Sequence, residues 1–218
     1  MFDHFDGAAG SRVNTSIWNY GEFHDLNRWD AKVRDTNAVL MGDSTVKLTI
    51  TQANNGYGAE LSSGWLESNY QFGPGTICEW YGVLNPAGYG AGHSTFWTNT
   101  LNGMNGTGGT GDGAEIDCRE FAPGIGYQSN VIYGGYPGTA GANAYAIPSG
   151  SAAAWEVFSV EWQASQYIFR RNGVIYHTFN AFVATNTDQR LRCVIEHDYG
   201  AAPEAAMFVD YAGIWVPS

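Results

Sequence analysis

With 218 residues, 44 % of them hydrophobic, the chain holds enough apolar material for one core, and all-β sandwiches of this length form single domains. It carries 29 Gly and 8 Trp but only 14 % charged residues, which suits short strands joined by many turns and excludes long solvated helices. A net charge of −11 excludes binding to a phosphate backbone and disfavours an anionic membrane surface, so a neutral partner is expected.

The N-terminal run Met1-Phe-Asp-His-Phe-Asp-Gly7 has neither a basic region nor an apolar stretch, so no signal peptide is expected in this sequence. Thr45 to Thr51 alternates, with Val46, Leu48 and Ile50 on one face, and predicts a half-buried strand. Residues 84–92, 99–114 and 134–151 are rich in Gly, Asn and Pro and are expected to be loops, either lining a cleft or merely connecting strands. Trp155 to Trp162 repeats the alternation through Phe158, Val160 and Trp162. Tyr167 to Arg171 and Val174 to Phe179 flank Asn172-Gly173, a pair that tolerates the positive φ of a tight hairpin turn. Leu191 to His197 and Met207 to Val216 complete the predicted strands, the last tying the C-terminus into a sheet. The expected fold is all-β: one domain over residues 1–218, built as a two-sheet antiparallel sandwich. Cys78, Cys118 and Cys193 lie within apolar strand-like runs and are expected to be buried thiols, with one disulfide and one free thiol as the alternative.

Three familiar motifs fail on context. Gly106-Thr-Gly-Gly-Thr-Gly111 matches the dinucleotide-binding glycine pattern, but it precedes a strand, and no helix follows to meet a phosphate. The five histidines form no zinc-binding spacing. No nucleophile elbow for a serine hydrolase is present. The formal glycosylation sequons at Asn14 and Asn105 are short enough to arise by chance.

Ala114-Glu-Ile-Asp-Cys-Arg-Glu-Phe121 is the informative stretch. In an extended strand Glu115 and Asp117 share a face while Ile116 points inward. Glu120 is five residues from Glu115, an odd separation that sends it to the opposite face of a regular strand. One β-bulge between Asp117 and Glu120 returns it to the acidic face. The two glutamates are then expected about two residues of rise apart, near the ~5–5.5 Å carboxyl separation of a retaining glycosidase. Asp117 between them would keep one glutamate ionised and raise the other's proton affinity. An exposed acidic strand edge, or a Ca²⁺ site using two of the carboxylates, is the alternative.

Glu115-Ile-Asp-Cys-Arg-Glu120 resembles the bulged signature of glycoside hydrolase family 16, the laminarinase- and agarase-like enzymes with a concanavalin A-like jelly-roll fold and a concave substrate cleft. Further matches run the length of the chain: Phe5-Asp-Gly7 with Trp18, Ser62-Ser-Gly64 followed by Phe72-Gly-Pro-Gly75, Phe96-Trp97, Phe158-Ser-Val-Glu-Trp162 and Phe208-Val-Asp-Tyr211. The resemblance implies Glu115 as nucleophile, Asp117 as its assistant and Glu120 as general acid/base, with no cofactor for the chemistry. It also implies Trp97 near the cleft floor and Asp210 helping to hold a structural Ca²⁺ on the convex side. A solvent-facing carboxylate is the alternative for Asp210.

Around that machinery the sugar-contacting positions differ from the family's usual residues. His93 stands where another cleft Trp is usual, Ile132 precedes Tyr133 in place of a His, and Glu196 and His197 replace an Asn. His93, Trp97, Tyr133, Glu196 and His197 are thus the expected substrate-binding residues. The expected activity is endo-hydrolysis of a neutral β-linked polysaccharide, a β-1,3-glucan, a galactan or a less common glycan. It would be carried out by a monomer outside the cell, on its surface or on a virion. The alternatives are a non-catalytic carbohydrate-binding jelly roll and a transglycosylase.

Overall fold

Alternating apolar residues build two stacked sheets, seen in a computed structural model that describes residues 2–20, 32–33, 35–50, 57–63, 73–100, 114–124, 126–133, 141–146, 153–181, 183–184, 189–196 and 204–216. The first sheet contains β1 (Phe2–Asp3), β4 (Ala38–Leu40), β5 (Val46–Thr49), β7 (Thr76–Val83), β12 (Glu156–Trp162), β13 (Tyr167–Arg171), β14 (Val174–Phe179) and β16 (Ala206–Trp215). Their order is β14-β13-β12-β7-β16-β5-β4, with β1 also paired to β16. The second contains β2 (Trp18–Tyr20), β3 (Lys32–Val33), β6 (Tyr57–Ser63), β8 (His93–Thr100), β9 (Ala114–Ala122), β10 (Gly126–Tyr133), β11 (Gly141–Ala146) and β15 (Gln189–Glu196). Here the order is β11-β10-β9-β8-β15-β6-β2, with β3 running parallel to β6 and every other pair antiparallel. The architecture is a jelly-roll β-sandwich, and among the described residues its one helical element is a 3₁₀ turn at Asp35–Asn37.

The expected inward faces are the buried ones. Val46, Leu48 and Ile50 are at most 1 % exposed, and Phe158, Val160 and Trp162 at most 3 %. Trp80 of β7 stacks on Phe96 of β8 at 5.8 Å and 12°, so one aromatic pair joins the two sheets at their centre. Phe96 also meets Phe158 of β12 at 6.4 Å. Such ring pairs add to the burial of their area. The three cysteines are free and buried, so the core holds thiols and no crosslink. The Asn172-Gly173 turn has φ of 49° and 78°, the left-handed values that a two-residue hairpin requires.

Two expectations need correction. Residues 134–151 do not form a loop throughout, because Gly141–Ala146 pairs with Gln128–Tyr133 as the edge strand β11. Its Ala- and Gly-rich sequence lacks the β-branched signal, and pairing with β10 supplies what propensity does not. The strand expected from Trp155 begins at Glu156, leaving Trp155 outside the ladder and 41 % exposed.

Gly82 sets how closely the sheets approach beside the Trp80–Phe96 stack. A Cβ there would lie 2.4 Å from the Phe208 carbonyl oxygen and 2.8 Å from the Phe96 ring. Gly82→Ala is therefore expected to lower stability by about 1–3 kcal/mol, measured as a drop in the urea midpoint.

Candidate active site

Strand β9 carries one residue more than its neighbours between Asp117 and Glu120. On β10, Gln128 pairs with Glu120 and Asn130 with Asp117; on β8, Phe96 pairs with Arg119 and Trp97 with Asp117. Cys118 is the supernumerary residue, and the strand bulges there. Cys118 and Arg119 both turn inward, at 0 % and 1 % exposed. Glu120 then emerges on the face that holds Glu115 and Asp117.

A bulge frees backbone groups from the ladder, and buried ones must find partners. The Cys118 carbonyl oxygen accepts from Ser129 Oγ at 2.7 Å and from Tyr176 Oη at 2.8 Å, and the two hydroxyls lie 2.9 Å apart. Tyr176 comes from β14 in the opposite sheet, so the bulge is tied across the sandwich. The inward Arg119 guanidinium lies 3.7 Å from the Tyr127 ring centroid and 4.8 Å from that of Phe158. Burial brings its pKa down to about 10, still cationic at neutral pH. Aromatic faces thus take the place of water around this cation.

The acidic face is a short row. Each of its members has a directly opposite partner on β8 and on β10: Thr95 and Gln128 for Glu120, Trp97 and Asn130 for Asp117, Asn99 and Ile132 for Glu115. Glu120 Oε1 lies 2.6 Å from His93 Nε2. Its Oε2 accepts from Gln128 Nε2 and from Asn130 Nδ2, each at 2.7 Å. Asp117 is 4 % exposed and Glu120 8 %. Burial first, and then the charges of Glu115 and Glu120, hold the Asp117 carboxyl well above the usual carboxylate range; a hydrogen bond from Asn130 and the charge on His93 oppose the shift. Of the three carboxyls, Asp117 is thus the one whose surroundings disfavour the charged form.

The expected rise of two residues between the glutamates is corrected by the register. Their partners on β10, Ile132 and Gln128, are four residues apart, or about 13 Å at ~3.3 Å per residue. The bulge adds a residue without shortening the row, so the glutamate side chains can approach each other only by converging over Asp117.

Of the residues singled out from sequence, His93, Trp97, Glu115, Asp117 and Glu120 are brought together on β8 and β9. Tyr133 lies at the end of β10, and Glu196 pairs in register with His93 on β15; their side chains, and all of His197, lie outside the described residues. Asp210 is on β16 in the other sheet, with His4 Nδ1 at 3.9 Å. Among the described residues no group of three or more His, Cys, Asp or Glu gathers to hold a metal. One carboxylate beside an imidazole does not fit Ca²⁺, which takes 6–8 oxygen ligands. Gln128 and Asn130 escaped the sequence reading. Their signal was the Pro123-Gly124 turn, which folds the following strand back onto β9 and sets alternate residues opposite the acids.

The fold recurs among solved structures across nearly whole chains. A pseudo β-1,3-glucanase and immunostimulatory antigen of Mycobacterium tuberculosis is 19 % identical, covering 100 % of this chain and 98 % of its own, with a TM-score of 0.76. A glycosyl hydrolase family 16 protein of Mycobacterium smegmatis is 19 % identical, covering 99 % of both chains, TM-score 0.72. An endo-1,3-β-glucanase of Streptomyces sioyaensis is 21 % identical, covering 98 % of this chain and 94 % of its own, TM-score 0.73. No protein-family model and no curated protein matches the sequence. At these identities the likeness establishes the fold.

Two outcomes follow from the site. Ser129→Ala or Tyr176→Phe removes one of two donors to the Cys118 carbonyl and is expected to cost about 0.5–1.5 kcal/mol. The double variant leaves that carbonyl with neither hydroxyl and should cost more than either single change in urea titrations. For Asp117, the unfolded carboxyl ionises near pH ~3.9, while the folded one stays protonated to higher pH. The unfolded state then binds fewer protons, so the contribution of Asp117 to stability is fully present below about pH 4 and is lost as pH rises through the folded value. Asp117→Asn should flatten the fall of the urea midpoint above that pH.

Proposed function

We propose that the chain is a family 16 glycoside hydrolase that cleaves a neutral β-linked polysaccharide internally and with retention of anomeric configuration. The observation that carries this reading is the bulge of β9, which returns Glu120 to the face of Glu115 and Asp117. A sandwich has no structural need for three carboxylates in a row, since like charges on one face destabilise a sheet.

In the proposed reaction Glu115 attacks the anomeric carbon while Glu120 protonates the departing glycosidic oxygen. A covalent glycosyl-enzyme forms, and Glu120 then takes a proton from the water that hydrolyses it. The carboxyl groups must converge to ~5–5.5 Å for this chemistry. Asp117 lies between them, and its raised proton affinity works against a third negative charge in the row. That lets Glu115 and Glu120 approach each other at a lower electrostatic cost. The ring of Trp97, 6 % exposed and directly across from Asp117, forms an apolar floor beside the acids. A neutral β-1,3-glucan or a galactan suits the net charge of −11, and His93 and Ile132 favour a glycan other than ordinary laminarin.

A second reading, a jelly roll that binds glycan without turning it over, is favoured by one observation. Glu120 is held by three polar partners, a restraint that a mobile proton donor does not need. A protein of the same fold also carries the name pseudo β-1,3-glucanase.

Reducing-end release from a panel of β-glucans, galactans and actinobacterial wall polysaccharides separates the two readings. Glu115→Gln and Glu120→Gln are each expected to lower turnover by several orders of magnitude while glycan binding, measured by calorimetry, persists. Normal hydrolysis by Glu115→Gln would overturn the assignment, and binding without product from any glycan would favour the second reading. The first-formed product, followed by proton NMR, should keep the β configuration.

A further inference from the structure

The two oxygens of Glu120 meet different chemistry. Oε2 accepts N–H bonds from Gln128 Nε2 and Asn130 Nδ2, each at 2.7 Å. A carboxyl oxygen offers two lone pairs, and amide N–H groups donate only. A proton can therefore settle on Oε2 only by breaking one of these bonds. Oε1 faces His93 Nε2 at 2.6 Å, and this nitrogen donates in one protonation state and accepts in another. The two side chains are 14 % and 10 % exposed, which shields the contact from solvent exchange.

We propose that Glu120 and His93 hold one exchangeable proton in common across the Oε1···Nε2 contact, so that His93 is the positioning residue of the general acid/base. The catalytic meaning of this pair rests on the proposed reaction; the sharing itself follows from the geometry. In one arrangement Oε1 carries the proton and donates to Nε2 of an imidazole protonated at Nδ1. When the proton crosses, the O–H bond breaks and an N–H bond forms, leaving a carboxylate beside an imidazolium. No third group gains or loses a proton.

The ionisable residues around His93 belong to two strands. From β9 they are Glu120 itself and Asp117, whose own proton affinity responds to His93, with Glu115 farther along the row. From β15, Glu196 pairs in register with His93 and Arg192 with Trp97. The β10 residues facing the pair, Gln128 and Asn130, are neutral, and β8 has no ionisable residue besides His93. Two groups sharing a proton titrate as a pair, with midpoints that belong to neither alone. A glutamine at position 93 could keep a hydrogen bond to Oε1 but could not take the charge.

Nitrogen-15 NMR of the His93 ring through pH 4–9 tests this on the whole chain and needs no activity. In the wild-type protein His93 is expected to titrate in two steps. In Glu120→Gln the curve should become a single step with its midpoint moved by about one pH unit, whereas Glu115→Gln should move it less. A single wild-type step, or a midpoint that Glu120→Gln leaves in place, would overturn the proposal. As a second readout, His93→Gln should shift the alkaline limb of the kcat/KM profile; a change in KM with that limb unmoved would mark a sugar contact alone and sink the positioning role. A shared proton in a protein without turnover would refute the proposed reaction and sustain this inference; an active enzyme with an uncoupled His93 would do the opposite.

Discussion

A β-strand alternates its faces, so two acids five residues apart cannot share one face unless a residue is added between them. Cys118 is that residue, and the structure absorbs it in three ways. The Cys118 thiol is small enough to enter the core beside Ile116. The Arg119 side chain, turned inward by the same step, runs between Tyr127 and Phe158. The carbonyl freed from the ladder is met by Ser129 and Tyr176. Phe158 and Tyr176 belong to the sheet that does not carry the acids, so the acidic row depends on the interior of the sandwich as much as on its own strand.

That dependence makes the site a product of packing. The Trp80–Phe96 stack and the close approach at Gly82 set the distance between the sheets beneath β8. A change in this spacing would move Tyr176 relative to the bulge, and through the bulge would move Glu120. Residues far from solvent therefore bear on the geometry of groups that meet the substrate in the proposed reaction.

Three carboxylates on one face would repel if all were ionised, and the structure meets this in two ways. Burial and the charges of Glu115 and Glu120 raise the proton affinity of Asp117, which works against a third charge at the centre of the row. Two amides and an imidazole surround Glu120, which fixes its orientation and gives each oxygen a separate task. The second of these arises from β10 and β8, the strands flanking β9, and is not written into the hexapeptide.

Alternation in residues 45–51 and 155–162 made the sandwich legible in the sequence, because one face of each strand must be buried. The Asn172-Gly173 hairpin was legible because few residue pairs tolerate two positive φ values in succession. The odd spacing of Glu115 and Glu120 foretold a bulge, since a regular strand would bury one of them. The sequence could not supply the edge strand β11, whose Ala- and Gly-rich residues pair only because β10 offers an open edge. Nor could it supply the true length of the acidic row, the partners of Glu120 or the tie from Tyr176, which lies 58 residues beyond Cys118. Sequence by itself determined which residues alternate and which carry charge, for these are local properties of the chain. The tertiary structure alone decided which oxygen of Glu120 faces an imidazole and which amides hold the other, because both depend on groups brought together from separate strands.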